Sequence, residues 1–227
     1  MSFETVCKNC GATSEPSVGI CPFCKSVLTA HDEALPGEVS VEAAYNDGNL
    51  ELALTLAKKL YSSSEPAKSD RRFTLTYLKI LLDTEAPEST INSVLSEGLI
   101  RFPADAAINE YQELMEARTK LSVGLNDEGE QRLKAIIRKN PDNYHAYFFL
   151  GAHLYWIDKA AGASVFYLEQ CSRLAPKFLR VWGCLSAVYR SLNNTALTEN
   201  ALRKCIELER NATMKSYFES ELKKMKD

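Results

Sequence analysis

Along most of the chain, apolar side chains recur every three or four positions, the spacing that collects one face of an α-helix. The run Leu75, Leu78, Leu82 follows the polar pair Ser69-Asp70, and Ile108, Tyr111, Leu114, Leu121 follow Asp105. In both places a short polar residue stands where a helix needs an N-terminal cap. Pro87-Glu88-Ser89 reads as a helix's first turn, continuing to about residue 102. Residues 124–127 then break the pattern, and 128–139 restore it. Helices therefore alternate with short turns from about residue 38 onward. Prolines punctuate them: Pro66, Pro103, Pro141 and Pro176 stand 37, 38 and 35 residues apart. A near-constant interval in the mid-thirties predicts a helical repeat.

The last two units carry a finer pattern. One reads Tyr147-x2-Leu150-Gly151-x2-Leu154, then Ser164, Leu168, Cys171 and Pro176. The next reads Trp182-x2-Leu185-Ser186-x2-Tyr189, then Thr198, Leu202, Cys205 and Ile206. These resemble the tetratricopeptide repeat, a 34-residue helical hairpin with a large residue, a small residue and a closing proline at set places. Residues 42–60 resemble the corner of a first, degenerate unit. The resemblance implies an all-α, right-handed solenoid of about five hairpins over residues 38–210. Residues 211–227, with Tyr217, Phe218, Leu222 and Met225 on one stripe, are expected to form a C-terminal capping helix.

The N-terminus obeys another rule. Cys7, Cys10, Cys21 and Cys24 form C-x2-C-x10-C-x2-C, four of the chain's seven cysteines within 24 residues. Each C-x2-C pair aims two thiolates at one point, and two pairs complete the tetrahedral sulfur shell that Zn2+ prefers. The segment between them has room only for a hairpin. So short a module buries too little to fold unaided, and zinc supplies the missing stability. The cluster resembles short zinc ribbons, so residues 1–30 are expected to hold one structural zinc and 31–37, closed by Pro36-Gly37, to be a linker. A rubredoxin-like iron centre uses similar knuckles set farther apart. A dithiol redox pair would need a βαβ context, and a catalytic zinc an open coordination position, which four thiolates close.

Composition narrows the function classes. Lys and Arg total 27 against 30 Asp and Glu, a net charge of −3, so no basic excess points to nucleic acid or anionic lipid. The most apolar window, residues 147–156, is ten residues long, whereas a membrane span needs about 20. No secretory signal pattern opens the sequence, and clustered rather than dispersed cysteines fit a reducing cytoplasm. No nucleophile elbow, P-loop, dinucleotide fingerprint or zinc-protease motif occurs, so no catalytic residue is assigned and the chain is read as a non-enzyme. Of the three histidines, His31 falls in the linker, and His145 and His153 are eight apart, too far to chelate one ion from one helix face.

What remains is binding. In tetratricopeptide arrays the first helix of each unit lines a concave groove. By that resemblance the groove residues are His145, Phe148, Phe149, Ala152, Tyr155 and Trp156 in one unit, with Arg180, Cys184 and Arg190 in the next. Aromatic and arginine side chains dominate interface hot spots. The family's carboxylate clamp for chaperone tails is absent, since Phe148 and Ala152 occupy two of its places. The expected function is a cytoplasmic protein-interaction scaffold that binds a peptide or protein partner on the concave face, with the ribbon as a docking module. The alternative is a nucleic-acid-associated factor contacting RNA or DNA through the ribbon. Against it, residues 1–37 carry Lys8 and Lys25 opposite Glu4, Glu15, Asp32 and Glu33.

Overall fold

A computed structural model of the chain describes residues 5–6, 13–14 and 37–225. The four N-terminal cysteines, all of the linker 31–37 but Gly37, and the last two residues lie outside the described residues. Strands β1 (Thr5–Val6) and β2 (Thr13–Ser14) pair antiparallel, Thr5 opposite Ser14 and Val6 opposite Thr13.

From residue 38 the described residues form helices joined by short connections. Five hairpins follow one another among the described residues: α1 (Glu38–Asn46) with α2 (Leu50–Ser63), α4 (Arg71–Asp83) with α5 (Glu88–Arg101), α6 (Ala106–Ser122) with α7 (Asn126–Lys139), α8 (Tyr144–Trp156) with α9 (Ala161–Leu174), and α10 (Leu179–Ser191) with α11 (Thr195–Leu208). The short α3 (Glu65–Lys68) bridges the first two, and α12 (Ala212–Lys224) packs on α11.

The helix starts have identifiable causes. Asn49, Asp70, Asp105, Asn143, Asn194 and Asn211 each accept a backbone N–H of the first turn with their side-chain oxygen, satisfying donors that have no partner within the helix. Inside each hairpin the chain reverses through one residue of positive φ: Gly48 (74°), Glu85 (53°), Gly124 (82°), Lys159 (57°) and Asn193 (55°). Five hairpins thus share one turn device, although only two of the five residues are glycine. Within the fourth hairpin the helices meet at Gly151. A Cβ there would stand 2.8 Å from Cγ of Leu168, and Ser164 donates its hydroxyl to the Gly151 carbonyl at 2.7 Å. The small residues of the repeat pattern therefore permit close helix approach.

One continuous apolar core runs from Val41 in α1 to Ala201 in α11. The array also curls tightly enough for its ends to meet. Lys177, ahead of α10, donates to the Asn46 carbonyl at 2.8 Å, and Arg210 donates to the Asp47 carbonyl. Helix α12 buries no residue fully. Tyr217, expected on the capping stripe, is 54% exposed, as α12 packs on α11 without entering the core.

Candidate functional site

The tight curl alters the expected groove. His145, Phe148 and Phe149 are buried, so they face the chain itself and not a partner. The Phe148 ring meets Phe178 at 5.0 Å, and the Arg180 guanidinium lies 4.5 Å above it. Arg118 similarly covers Phe149 at 5.4 Å. Arg180 reaches the end of α4, donating to the Leu82 carbonyl at 3.2 Å and pairing with Glu85. Burial lowers its affinity for the proton below the ordinary arginine range.

The other expected groove residues are scattered. Ala152 and Cys184 pack half-buried against the core, and burial pushes the Cys184 thiol up. Tyr155 is half-buried and donates to the Ala187 carbonyl at 3.1 Å. Trp156 is 53% exposed, edge-on to Tyr155. Arg190 is held by Glu221 of α12 at 2.7 Å. The physical reason is geometric. Helix positions fix which side chains point inward, but the superhelix curvature decides whether inward means groove or core.

At the centre of the curl sits a polar hub that the sequence reading missed. Asp83, the last residue of α4, is buried. One carboxylate oxygen accepts the Tyr45 hydroxyl at 2.5 Å; the other accepts the Tyr144 hydroxyl and contacts His145 Nε2, both at 2.8 Å. Burial first, and the Asp83 charge second, hold the Tyr45 and Tyr144 phenols far above the ordinary tyrosine range. They act as fixed neutral donors. The available signal was an acid ending the apolar run Ile80-Leu81-Leu82, at a helix C-terminus where the backbone dipole disfavours negative charge.

Above the hub the inner face opens into two clefts. One, of about 440 Å3, lies between Tyr45, Lys79, Tyr144, Lys177 and Phe178. The second, of about 340 Å3, lies between Lys79, Glu110, Tyr111, Asn143 and Tyr144. Lys79, Asp142 and Tyr144 line both. The Lys79 ammonium stands 5.1 Å from the Tyr45 ring and 5.6 Å from the Tyr144 ring, a cation over aromatic faces. Glu110 accepts the Asn140 and Asn143 amides at 2.8 and 2.7 Å. These groups bind and orient. The phenols are held neutral, and the buried thiols of Cys171 and Cys205 are pushed up, that of Cys205 to about 12, away from the thiolate a nucleophile needs.

No protein-family model and no curated protein matches the chain. Among solved structures it is similar to MamA, at 15% identity over 74% of this chain and 93% of that one, with a TM-score of 0.41. It is also similar to YrrB, described as "a TPR protein with an unusual peptide-binding site", at 12% identity over 83% and 92%, with a TM-score of 0.43. Superpositions this loose equate no residues, and the architecture rests on the hairpins themselves. No described helix is long and apolar enough to cross a membrane.

Proposed function

We propose that the chain is a protein-interaction scaffold of the tetratricopeptide type that holds an extended segment of a partner protein in the paired clefts above Asp83. The observation that carries this reading is the sharing of Lys79, Asp142 and Tyr144 by two clefts, lined by residues of α4, α6 and α8 and by the residues leading into α8. Each volume suits one or two peptide side chains, within the range of small ligand sites. The hub beneath pre-organises the floor, so ordering costs little on binding. Lys79 supplies one cation for a partner carboxylate or carbonyl, and the tyrosine faces supply apolar contact. The concave-face reading is thereby narrowed: Tyr155, Trp156 and Arg190 line neither cleft, and the interior aromatics pack within the fold.

Peptides selected from a random displayed library and titrated by fluorescence anisotropy test this. Lys79→Glu is expected to weaken the selected peptides at least tenfold, about 1.4 kcal/mol. Lys58→Glu, on exposed α2 surface, should leave them unchanged. Equal binding by both variants removes the clefts as the site.

In the same proposal Cys7, Cys10, Cys21 and Cys24 hold one structural Zn2+ and the ribbon serves as a docking module, in a reducing cytoplasm. The antiparallel pairing of residues 5–6 with 13–14 flanks Cys7 and Cys10 in sequence, as a metal-binding knuckle requires. Absence of zinc from freshly purified, fully reduced chain overturns this part. The nucleic-acid alternative is not favoured, since residues 1–37 carry only Lys8 and Lys25 against four acids.

A further inference from the structure

Away from the clefts, α7 and α8 bring together three side chains that neither the core nor the clefts use. Glu130 comes from α7, His153 from α8, and Asp158 from the turn after α8. One donor atom of each lies within 4.8 Å of the other two. The His153 side chain is 5% exposed, and its Nε2 is buried without a hydrogen-bond partner among the described residues. The Asp158 oxygen nearest to it is 3.7 Å away, beyond hydrogen-bond reach. A buried polar atom left unpaired is rare in native structures and needs a cause.

The repeat shows how unusual the position is. Counting back four residues from the caps Thr84, Val123, Ile157 and Leu192 that end α4, α6, α8 and α10 gives Ile80, Thr119, His153 and Val188. Ile80 and Val188 are fully buried hydrocarbon. An imidazole stands where two other hairpins place an aliphatic core residue, and its free nitrogen points at two carboxylates.

We propose that Glu130, His153 and Asp158 form a binding site for a divalent transition-metal ion of the Zn2+ or Co2+ class. One imidazole and two carboxylates are a donor set such ions accept, with a position left for water or for a partner's side chain. Metal–ligand distances of about 2.0–2.2 Å require the donor atoms to draw closer than they stand here. The outer groups have that freedom. Asp158 lies in a turn and is 30% exposed on its side chain, whereas His153 is the fixed anchor. Lys134 donates to Glu130 at 2.6 Å, so its ammonium and the metal compete for one carboxylate. A bound ion would pin α7, α8 and the turn to one another, at the edge shared by the third and fourth hairpins.

The test titrates Co2+ into the full chain with its thiols reduced and its zinc already loaded, following heat and visible absorption. One further equivalent is expected, with weak ligand-field bands and without the intense charge-transfer band of thiolate coordination. His153→Leu and Asp158→Asn should each weaken it at least tenfold, whereas Lys134→Met should tighten it at least threefold. Asp158 and Lys134 lie at the surface, so those two variants keep the fold whatever becomes of His153→Leu. Failure to take up a further equivalent overturns the proposal. So does uptake accompanied by a thiolate band, or an affinity indifferent to Asp158→Asn and Lys134→Met.

Discussion

The molecule buries two histidines in one helix, eight residues apart, and treats them oppositely. His145 meets Asp83, whose two oxygens also accept Tyr45 and Tyr144, joining α1, α4 and α8 in one network. His153 faces Glu130 and Asp158 with its Nε2 unpaired among the described residues. Burial, residue type and acidic neighbours are alike, so none of them separates structure from site. Satisfaction does. A buried polar network whose members all find partners rigidifies a core, and one left incomplete carries a standing cost that core packing does not explain.

If that distinction holds, the largest effect in the molecule comes from Asp83. Asp83→Ala removes the carboxylate shared by the half-buried Tyr45 and Tyr144 hydroxyls and the buried His145 ring, and is expected to cost about 3–5 kcal/mol, the range for breaking a buried charged partner. Urea unfolding of the described fold measures it. The same hub sets an alkaline limit. The Tyr45 and Tyr144 phenols are raised in the folded state, so their contribution is fully present below the unfolded tyrosine value near ~10 and is lost as pH rises beyond it. Stability should fall more steeply above that pH in the wild type than in Asp83→Ala, which lacks the charge that opposes phenol ionisation. A variant within about 1 kcal/mol of wild type, with an unchanged alkaline slope, would demote the hub to a local contact.

Local chemistry in the sequence announces the hairpins. Asp70 and Asp105 are caps by residue type, and Gly48, Gly124 and Asn193 tolerate the left-handed turn. Glu85 and Lys159 adopt the same φ without any such signal, because there the turn is imposed by the helices it joins. The inner face was less legible. The resemblance places Phe148 and Phe149 inward, but the Tyr144–Asp83 bond spans 61 residues and the Lys177–Asn46 bond 131. No local pattern encodes how far the array curls. Eight residues apart, His145 and His153 cannot chelate one ion from a single helix face, and sequence spacing reaches no further. The donors that matter for His153 come from α7 and from a turn, hence from tertiary structure.

The smallest expected effect is the sharpest discriminator, because its sign is at issue. His153→Leu puts an aliphatic side chain where Ile80 and Val188 stand in other hairpins and removes a buried nitrogen without a partner among the described residues. Such a group costs about 1–3 kcal/mol when buried unsatisfied. Imperfect packing of the new side chain returns part of that, as volume-conserving core changes do. The net expectation in buffer without added metal is a variant as stable as wild type, or more stable by up to about 1 kcal/mol. The same change at the other histidine, His145→Leu, strips a satisfied partner from Asp83 and should cost about 2 kcal/mol. Urea midpoints of the two variants beside wild type make the comparison directly. Added Zn2+ should then reverse the order at one position only, lifting wild type above His153→Leu and leaving its gap to His145→Leu unchanged. Equal losses at both positions would mean that the unpaired nitrogen has no energetic consequence, and the contrast between hub and cluster would fall with it.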